Sequence, residues 1–449
     1  MLDREQIQSH YPRAGTHYDV IVCGGGPAGF GAAMAAAKSG AKTLLLEARA
    51  HFGGVAATSL WMPMNRLKLH GGSRGGIHHL LCEKLESFGA FGCRPGKTTW
   101  TDGDGLHVHP DYLKLAMMEL LEEAGCDYRL NSPVCGAVVE DGVLKGAQVL
   151  TKRGVDTFTA DCFIDCTGDG DLCFHAGADM REGREDDGVT MPVTLGFSLA
   201  NVDEERLFTE FYDTQNCEDS VAETIARAEK DGYTVSPWYS FDRTTVPGVV
   251  SVNNGGMKNV GKLNTLNPDD ATFGERAGIQ IAIDFVRFAR AYKLPGLENC
   301  YLDRTGAAIG VRETRRAMGD YVLTFEDAQS AAGFPDPVAK RYGAVDQAGL
   351  GDEEGHEKPK MKSGHEFPYR ALHVKGVERL LVAGRCGSYT HMALAAGKSM
   401  GNMMAIGQAA GVTAALASRQ CVKPRNVAYD DVKAALHALD VHITDENDW

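Results

Sequence analysis

The chain holds 12 cysteines, yet no two of them form a Cys-x-x-Cys pair. That absence removes the usual signature of zinc ribbons, thioredoxin-type redox centres and ferredoxin-type clusters. Most of the cysteines lie in apolar runs and read as small buried hydrophobes of a reducing, cytoplasmic compartment. No stretch of 18 or more consecutive apolar residues occurs, so a membrane-spanning helix is not expected. The polar opening MLDREQIQSHYPRAG lacks the pattern of a secretory leader. Basic residues are outnumbered 46 to 60, the net charge is −14, and no Lys/Arg block is present, so a nucleic-acid partner is not expected. With 16 prolines and no Gly-X-Y period, the 53 glycines do not signal a collagen-like fibre. A hydrophobic content of 43% excludes wholesale disorder.

What is present in excess is glycine. Twelve glycines fall between Gly24 and Gly76, where average usage would place about four. Seven more fall between Gly376 and Gly411. In a globular chain such clusters mean positive φ or a close approach to backbone. The 449 residues also exceed the usual limit of about 250–300 for one core. The pattern divides into a first β/α part at 16–182, an inserted part at 183–364, a returning β/α part at 365–420, and a helix and tail at 421–449. The first part predicts strand Tyr18–Cys23, helix Pro27–Ser39 and strand Lys42–Leu46, a complete βαβ unit. A helix at Asp111–Glu123, a hairpin of Val134–Glu140 with Val143–Leu150, and a strand Cys162–Cys166 follow. The insertion predicts strand Val193–Leu199, a long helix near Ala271–Ala291, a strand near Cys300 and a charged helix from about Val311. The polar, aperiodic stretch 348–364 is the best linker or lid candidate.

Gly24-Gly25-Gly26-Pro27-Ala28-Gly29 follows a strand and opens a helix inside that βαβ unit, and the acidic Glu47 ends the second strand. Those contexts raise a G-x-G-x-x-G run to a dinucleotide-binding fingerprint; a ligand-free glycine turn is the bland alternative. Gly24 allows the tight turn, Gly26 the approach of a pyrophosphate, and Gly29 the packing of helix on strand. The helix N-terminus presents free N–H groups to the phosphates, and Glu47 can accept from ribose hydroxyls, which disfavours a 2′-phosphate. The fingerprint fits FAD and NAD alike. FAD is favoured because a second strand and turn, Leu380–Arg385, returns more than 300 residues later to embrace a long cofactor. The helix from about Lys398, bearing Gly401, would aim its N-terminal dipole at a flavin carbonyl.

These residues resemble the FAD-dependent oxidoreductases of the glutathione-reductase-like superfamily. The resemblance runs through YDVIVCGGGPAGFGAAMAAAKSGAKTLLLE at 18–47, Gly53-Gly54, IDCTGDGDLCFHAGA at 164–178, MPVTLGFSLANVD at 191–203, IGVRETRRAMGDYVLT at 309–324, FPYRAL at 367–372 and LLVAGRCGSYTHMALAAGKSMGNMMAIGQAAGVTAALA at 380–417. It implies an α/β fold: a Rossmann-like FAD-binding domain, with a parallel sheet and a three-stranded β-meander, plus an inserted α+β substrate domain. It implies that Gly24, Gly26, Pro27, Ala28, Gly29, Glu47 and Gly54 lie on the ADP side. Val134 would offer backbone contacts to adenine, and Thr167, Gly168 and Asp169 would pass close to the cofactor. Gly384 and Arg385 would lie by the ribityl chain, and Ser399, Met400, Gly401 and Asn402 would cap the flavin. The stretch Leu60–His79 departs from the family pattern and would pass near the flavin ring.

A flavin carries the redox chemistry, so the protein must orient substrate and move a proton. His391, between the returning strand and the capping helix, is a candidate general base or a loop-bonding histidine. Arg312, in the run RETRR, is a candidate bidentate grip for a carboxylate; on the expected helix it is equally an ion-pair face. Tyr369 and Arg370 would anchor substrate or cap a domain junction, and His365 is similarly open. His70, His78 and His79 raise covalent flavin attachment or a metal, but neither the attachment spacing nor partner ligands are present, and no metal is expected. Trp61, Met62 and Met64 would line a pocket or pack the core. The expected function is a dehydrogenase or oxidase passing a hydride from a small organic substrate to flavin and on to an unidentified electron acceptor. A flavin monooxygenase with an external reductant is the alternative, and a flavin-binding RNA-modification protein a more distant one.

Overall fold

The computed structural model describes residues 10–12, 15–61, 64–69, 72–98, 101–212, 217–254, 256–257, 260–343, 345–346, 364–441 and 443. Strand β1 (His17–Cys23) is fully buried from Val20 onward, and helix α1 (Pro27–Lys38) follows with Pro27 at its first position. The proline removes an N–H that the first helical turn leaves unbonded anyway. Strand β2 (Thr43–Leu46) returns parallel to β1, Val20 facing Thr43 and Cys23 facing Leu46. Helices α2 (Gly76–Ser87) and α3 (Pro110–Glu123) then lead to β3 (Asp127–Arg129), which adds parallel to β2.

The meander consists of β4 (Val134–Glu140), β5 (Val143–Thr151) and β6 (Gly154–Asp165). The pattern predicted a hairpin and a separate short strand. Instead β6 is one strand of 12 residues that serves both the meander and the parallel sheet. Gly154–Thr159 runs antiparallel to β5, while Thr159–Asp165 runs parallel to β1. The burial pattern explains the double use. Exposed and buried residues alternate from Thr157 to Ala160, as in a one-faced meander, and Cys162–Asp165 is buried throughout, as in a covered parallel sheet.

Strand β7 (Met180–Glu182) ends the first part, and the inserted part carries β8 (Phe197–Ala200), β9 (Ser240–Arg243), β10 (Val250–Asn253), helix α4 (Pro268–Ala291) and β11 (Tyr301–Thr305). Four of these strands form an antiparallel sheet in the order β9-β10-β8-β11. Helix α4 is capped by the Asn267 side chain on the Asp269 N–H, and its stripe Ile281, Phe285 and Phe288 packs with Phe197, Phe241 and Val252 of the sheet. The charged helix expected from Val311 does not form. Arg315–Ala317 is strand β12, antiparallel to β7. Strand geometry sends neighbouring side chains to opposite sides. Arg316 is thereby buried against the carbonyls of Gly183 and Tyr389, while Arg315 reaches Asp171. The lid candidate 348–364 lies outside the described residues apart from Gly364.

Strands β13 (Pro337–Arg341) and β14 (His365–Pro368) pair antiparallel, and β15 (Leu380–Val382) then joins the parallel sheet beside β6, Phe163 facing Leu380. The short helix α5 (His391–Ala395) and the long helix α6 (Met400–Gln420) complete the return. Helix α6 lies directly on α1. A Cβ at Gly407 would stand 2.0 Å from the Ala28 carbonyl oxygen, and one at Gly411 would stand 2.1 Å from that of Ala32. Part of the late glycine excess therefore serves helix–helix contact, where the sequence suggested clearance for a ligand. No helix among the described residues is long and apolar enough to cross a membrane.

The α1–α6 contact leaves no room for a side chain. Gly407→Ala should lower stability by about 1–3 kcal/mol and reduce flavin retention, as read by thermal melting and the flavin-to-protein absorbance ratio. Three histidines sit deep in the fold, and burial lowers the pKa of His78 to about 3, His365 to about 2 and His373 to about 4. Each binds a proton more readily unfolded than folded, so stability is lost as pH falls below about 6.5. The expected loss at pH 5 is roughly 1–2 kcal/mol per histidine, and His373→Phe should flatten the pH dependence of urea unfolding between pH 7 and 5.

Candidate active site and cofactor cradle

The turn after β1 is shaped by what it excludes. Gly24 has φ +99°, and a Cβ there would stand 2.3 Å from the Cys166 carbonyl oxygen. A Cβ at Gly29 would stand 1.6 Å from the Gly24 oxygen. Gly26 differs: the nearest atom to a Cβ there would be the Gly54 Cα at 3.8 Å. The space over Gly26 is thus open between two glycines. Gly26 caps α1 without any side-chain hydrogen bond, and the first-turn N–H groups that follow Pro27 and Ala28 lack intrahelical acceptors. Glu47 is buried at the end of β2; its carboxylate accepts from the Gly25 N–H at 2.5 Å and from the Arg49 N–H at 2.7 Å. It is held by backbone on both sides at the mouth of the turn. Val134 opens β4 opposite Val149, just beyond Ser132, whose N–H donates to the Glu47 carbonyl at 2.8 Å.

The end of β6 supplies a second edge. Asp165, fully buried, accepts from the N–H and hydroxyl of Thr167 and from the Cys173 N–H. Asp169 accepts from Arg385 at 2.6 Å and from the Thr314 hydroxyl at 2.6 Å. Burial opposes ionisation of Asp169, yet the Arg385 guanidinium and the hydroxyl outweigh it and hold the carboxyl below its usual range. Desolvation, with Asp169 and Asp165 nearby, raises Asp171 to about 6 despite its Arg315 partner. A Cβ at Gly168 would press on Arg385, and one at Gly384 would stand 2.9 Å from the Ala28 Cβ. Thr167, Gly168, Asp169, Gly384 and Arg385 therefore converge at the sheet edge over which α1 begins.

A third edge is the start of α6. Ser399 precedes the helix without capping it, and its buried Oγ has no hydrogen-bond partner among the described residues. A Cβ at Gly401 would stand 2.1 Å from the Arg66 carbonyl oxygen, and His78 Nε2 lies 2.8 Å from the Gly401 oxygen. Asn402 corrects an expectation. Its carboxamide accepts from Arg74 and the Tyr342 N–H and donates to the Tyr342 and Gly397 carbonyls, so the side chain faces into the protein instead of out to a ligand.

His391 begins α5, between the second and third edges. Its Nδ1 lies 2.7 Å from Glu313 Oε2, both side chains being buried. Glu313 also accepts from the Met191 N–H at 3.1 Å and pairs with Arg316 Nε at 3.3 Å. Arg316 in turn reaches Glu185, which accepts from the His391 N–H. Beside this group, Arg312 Nη1 donates to the Pro192 carbonyl and the Thr194 hydroxyl, and its Nε lies 3.4 Å from Asp346. Lys398 binds the same Asp346 carboxylate.

The residues fit a dinucleotide: two facing glycines at a helix start, a fixed carboxylate beside them, and an unpartnered hydroxyl at a second helix start. Residues 19–436 match the family model described as FAD dependent oxidoreductase. The chain belongs to that family. The digeranylgeranylglycerophospholipid reductase of Picrophilus torridus is 26% identical over 208 residues, 44% of this chain and 50% of that reductase. The chain thus spans half the length of that curated relative. The sarcosine oxidase subunit alpha of Corynebacterium sp. is 46% identical over 54 residues, 12% of this chain and 6% of that subunit. A geranylgeranyl bacteriochlorophyll reductase-like structure from Thermoplasma acidophilum superposes with a TM-score of 0.46 at 16% identity, over 94% of this chain and 83% of that one.

In this FAD-dependent oxidoreductase the expected substrate anchors Tyr369 and Arg370 are engaged elsewhere. The Tyr369 hydroxyl donates to the Pro424 carbonyl at 2.8 Å, tying down the C-terminal segment. Arg370 stacks over Tyr321 and Phe334 and pairs with Asp336 at 3.4 Å. Both cap a junction, the second of the roles the sequence allowed. His365 is buried within β14, and His79 pairs with Glu83 on the surface of α2; His70 and Met62 lie outside the described residues. Trp61 is buried with its ring edge-on to His109. Sequence reasoning missed Lys398, Asp346, Thr314 and Arg74 as members of the site, and gave Glu313 no role of its own. Glu313 meets His391 across a separation of 78 residues, so no local spacing announces the pair. Glu47→Ala would leave two backbone N–H groups without their acceptor. It should weaken FAD binding at least about tenfold, measured by flavin fluorescence quenching.

Proposed function

We propose that this enzyme is a dehydrogenase or oxidase of a small organic substrate and that His391 takes the substrate proton. FAD, when bound, supplies the two-electron acceptor at the flavin N5. The observation that carries the reading is the buried His391–Glu313 contact of 2.7 Å at the elbow between β15 and α6. A carboxylate on Nδ1 places the ring N–H there and the basic lone pair on Nε2, a tautomer assigned from the contact. The Met191 N–H and Arg316 fix Glu313, and Glu313 in turn holds the ring through Nδ1. An oriented imidazole of this kind serves as a general base, with the carboxylate steadying the imidazolium that forms. The Thr390 hydroxyl caps α5 on the Ala393 N–H, which sets the direction in which His391 leaves the helix. The electrons then pass to a separate acceptor.

The test is an anaerobic panel of metabolites, followed by the bleaching of the flavin band near ~450 nm. With a reducing substrate in hand, His391→Asn should slow flavin reduction by about 10²–10⁴-fold while leaving flavin content unchanged. Glu313→Gln should slow it less, about tenfold, because an amide oxygen still accepts from Nδ1. Reduction of His391→Asn at the parent rate would remove the base, and oxygen incorporated into product would favour the monooxygenase reading.

A further inference from the structure

Arg312, Lys398 and Asp346 form a cluster that the proton-moving pair does not use. Two cations share one carboxylate: Arg312 Nε lies 3.4 Å from Asp346 Oδ2, and Lys398 Nζ bonds the same oxygen. Among the described residues no second carboxylate pairs with either cation. The Glu313 carboxylate is already engaged by His391, the Met191 N–H and Arg316. The cations lie behind their partner: the side chains of Arg312 and Lys398 are 15% and 18% exposed, and that of Asp346 is 30% exposed. Arg312 is held at its other end by the Pro192 carbonyl and the Thr194 hydroxyl, so the guanidinium stays in place whatever Asp346 does. Gly256 lies beside that guanidinium, a Cβ there standing 3.5 Å from Nη1. Asp346 is anchored through its backbone, its N–H donating to the Ala395 carbonyl at 3.1 Å. Burial lowers the pKa of Lys398 and the neighbouring Arg312 adds to that effect, while Asp346 and the nearby Glu313 charge oppose it.

We propose that Arg312 and Lys398 bind the carboxylate of an anionic organic substrate, and that Asp346 occupies this place as an internal stand-in until substrate displaces it. The location supports a substrate group. Arg312 precedes Glu313, the partner of His391, and Lys398 precedes Ser399 at the start of α6. A carboxylate held here places the rest of a small molecule between the base and the capping helix. A planar guanidinium beside an ammonium is matched to a carboxylate rather than to a neutral alcohol or amide. The inference rests on the oxidoreductase reading and names its substrate class.

The probe is benzoate added to the oxidised holoenzyme, with benzamide as the neutral control, read by perturbation of the flavin absorption bands and by thermal melting. Benzoate should give a saturable spectral change and raise the melting temperature, and benzamide should give neither. Asp346→Ala removes the competitor and should tighten benzoate binding at least tenfold, with a larger benzoate-dependent melting shift than the parent. Arg312→Met and Lys398→Met should each weaken it at least tenfold. If Asp346→Ala does not retain flavin, Asp346→Asn serves the same comparison. Equal responses to benzoate and benzamide, or an Asp346 variant that binds benzoate no more tightly, would overturn the proposal. Bleaching of the flavin by a neutral substrate, with benzoate inert, would sink the anionic class and leave the oxidoreductase reading intact.

Discussion

The structure depends on the contact of two helix backbones from opposite ends of the chain. Where α6 crosses α1, glycines at 407 and 411 lie against the carbonyls of Ala28 and Ala32, closer than any side chain permits. The contact places the start of the fingerprint helix and the start of the returning helix over the same edge of the parallel sheet. Strand β6 reinforces it by pairing with β1 on one side and β15 on the other. Remove that proximity and the Gly26–Gly54 cleft, the Asp169–Arg385 pair and the His391 elbow no longer belong to one site. Backbone packing against backbone is rigid because there are no rotamers to adjust. The arrangement of the cradle therefore follows from atoms that carry no chemistry themselves.

Charge is organised differently on the two sides of this frame. Around the cradle it is satisfied: Asp165 is bonded on both oxygens, Asp169 meets Arg385 and Thr314, and Glu47 holds two backbone N–H groups. Buried ion pairs seldom add much net stability, since desolvation offsets their attraction, but they fix position strongly. Position is what a long cofactor requires along its length. At the elbow the balance is looser. Arg312 and Lys398 share one carboxylate, and among the described residues the Ser399 hydroxyl has no hydrogen-bond partner. Groups short of partners inside a well-packed protein are costly to maintain, and they cluster where a ligand completes them.

Several features were legible before any coordinates. The strand–turn–helix–strand unit with Glu47 was visible because each residue type has one local reason to be there: Pro27 at a helix start, Gly24 at a tight turn, a carboxylate at a strand end. The hairpin of β4 and β5 and the inserted helix were visible through their periods of two and of about three and a half, whereas the third strand of the meander was not. The run RETRR was misread because charged residues at helical spacing match a solvated helix, whereas a strand buries Arg316 only when Gly183 and Tyr389 supply carbonyls from distant segments. Tyr369 and Arg370 looked like anchors because polar side chains near a proposed site look alike in one dimension. Their partners, Pro424 and Asp336, lie in other parts of the chain.

The sequence by itself determined the dinucleotide-type turn and the parallel sheet that presents it, because local backbone geometry dictates both. Only the tertiary structure decided which side chains share a site with it. The pairing of His391 with Glu313, and of Arg312 and Lys398 with Asp346, joins segments that nothing in their spacing connects. Contacts of this kind are set by packing and by the need to compensate buried charge, and both act across the folded chain rather than along it.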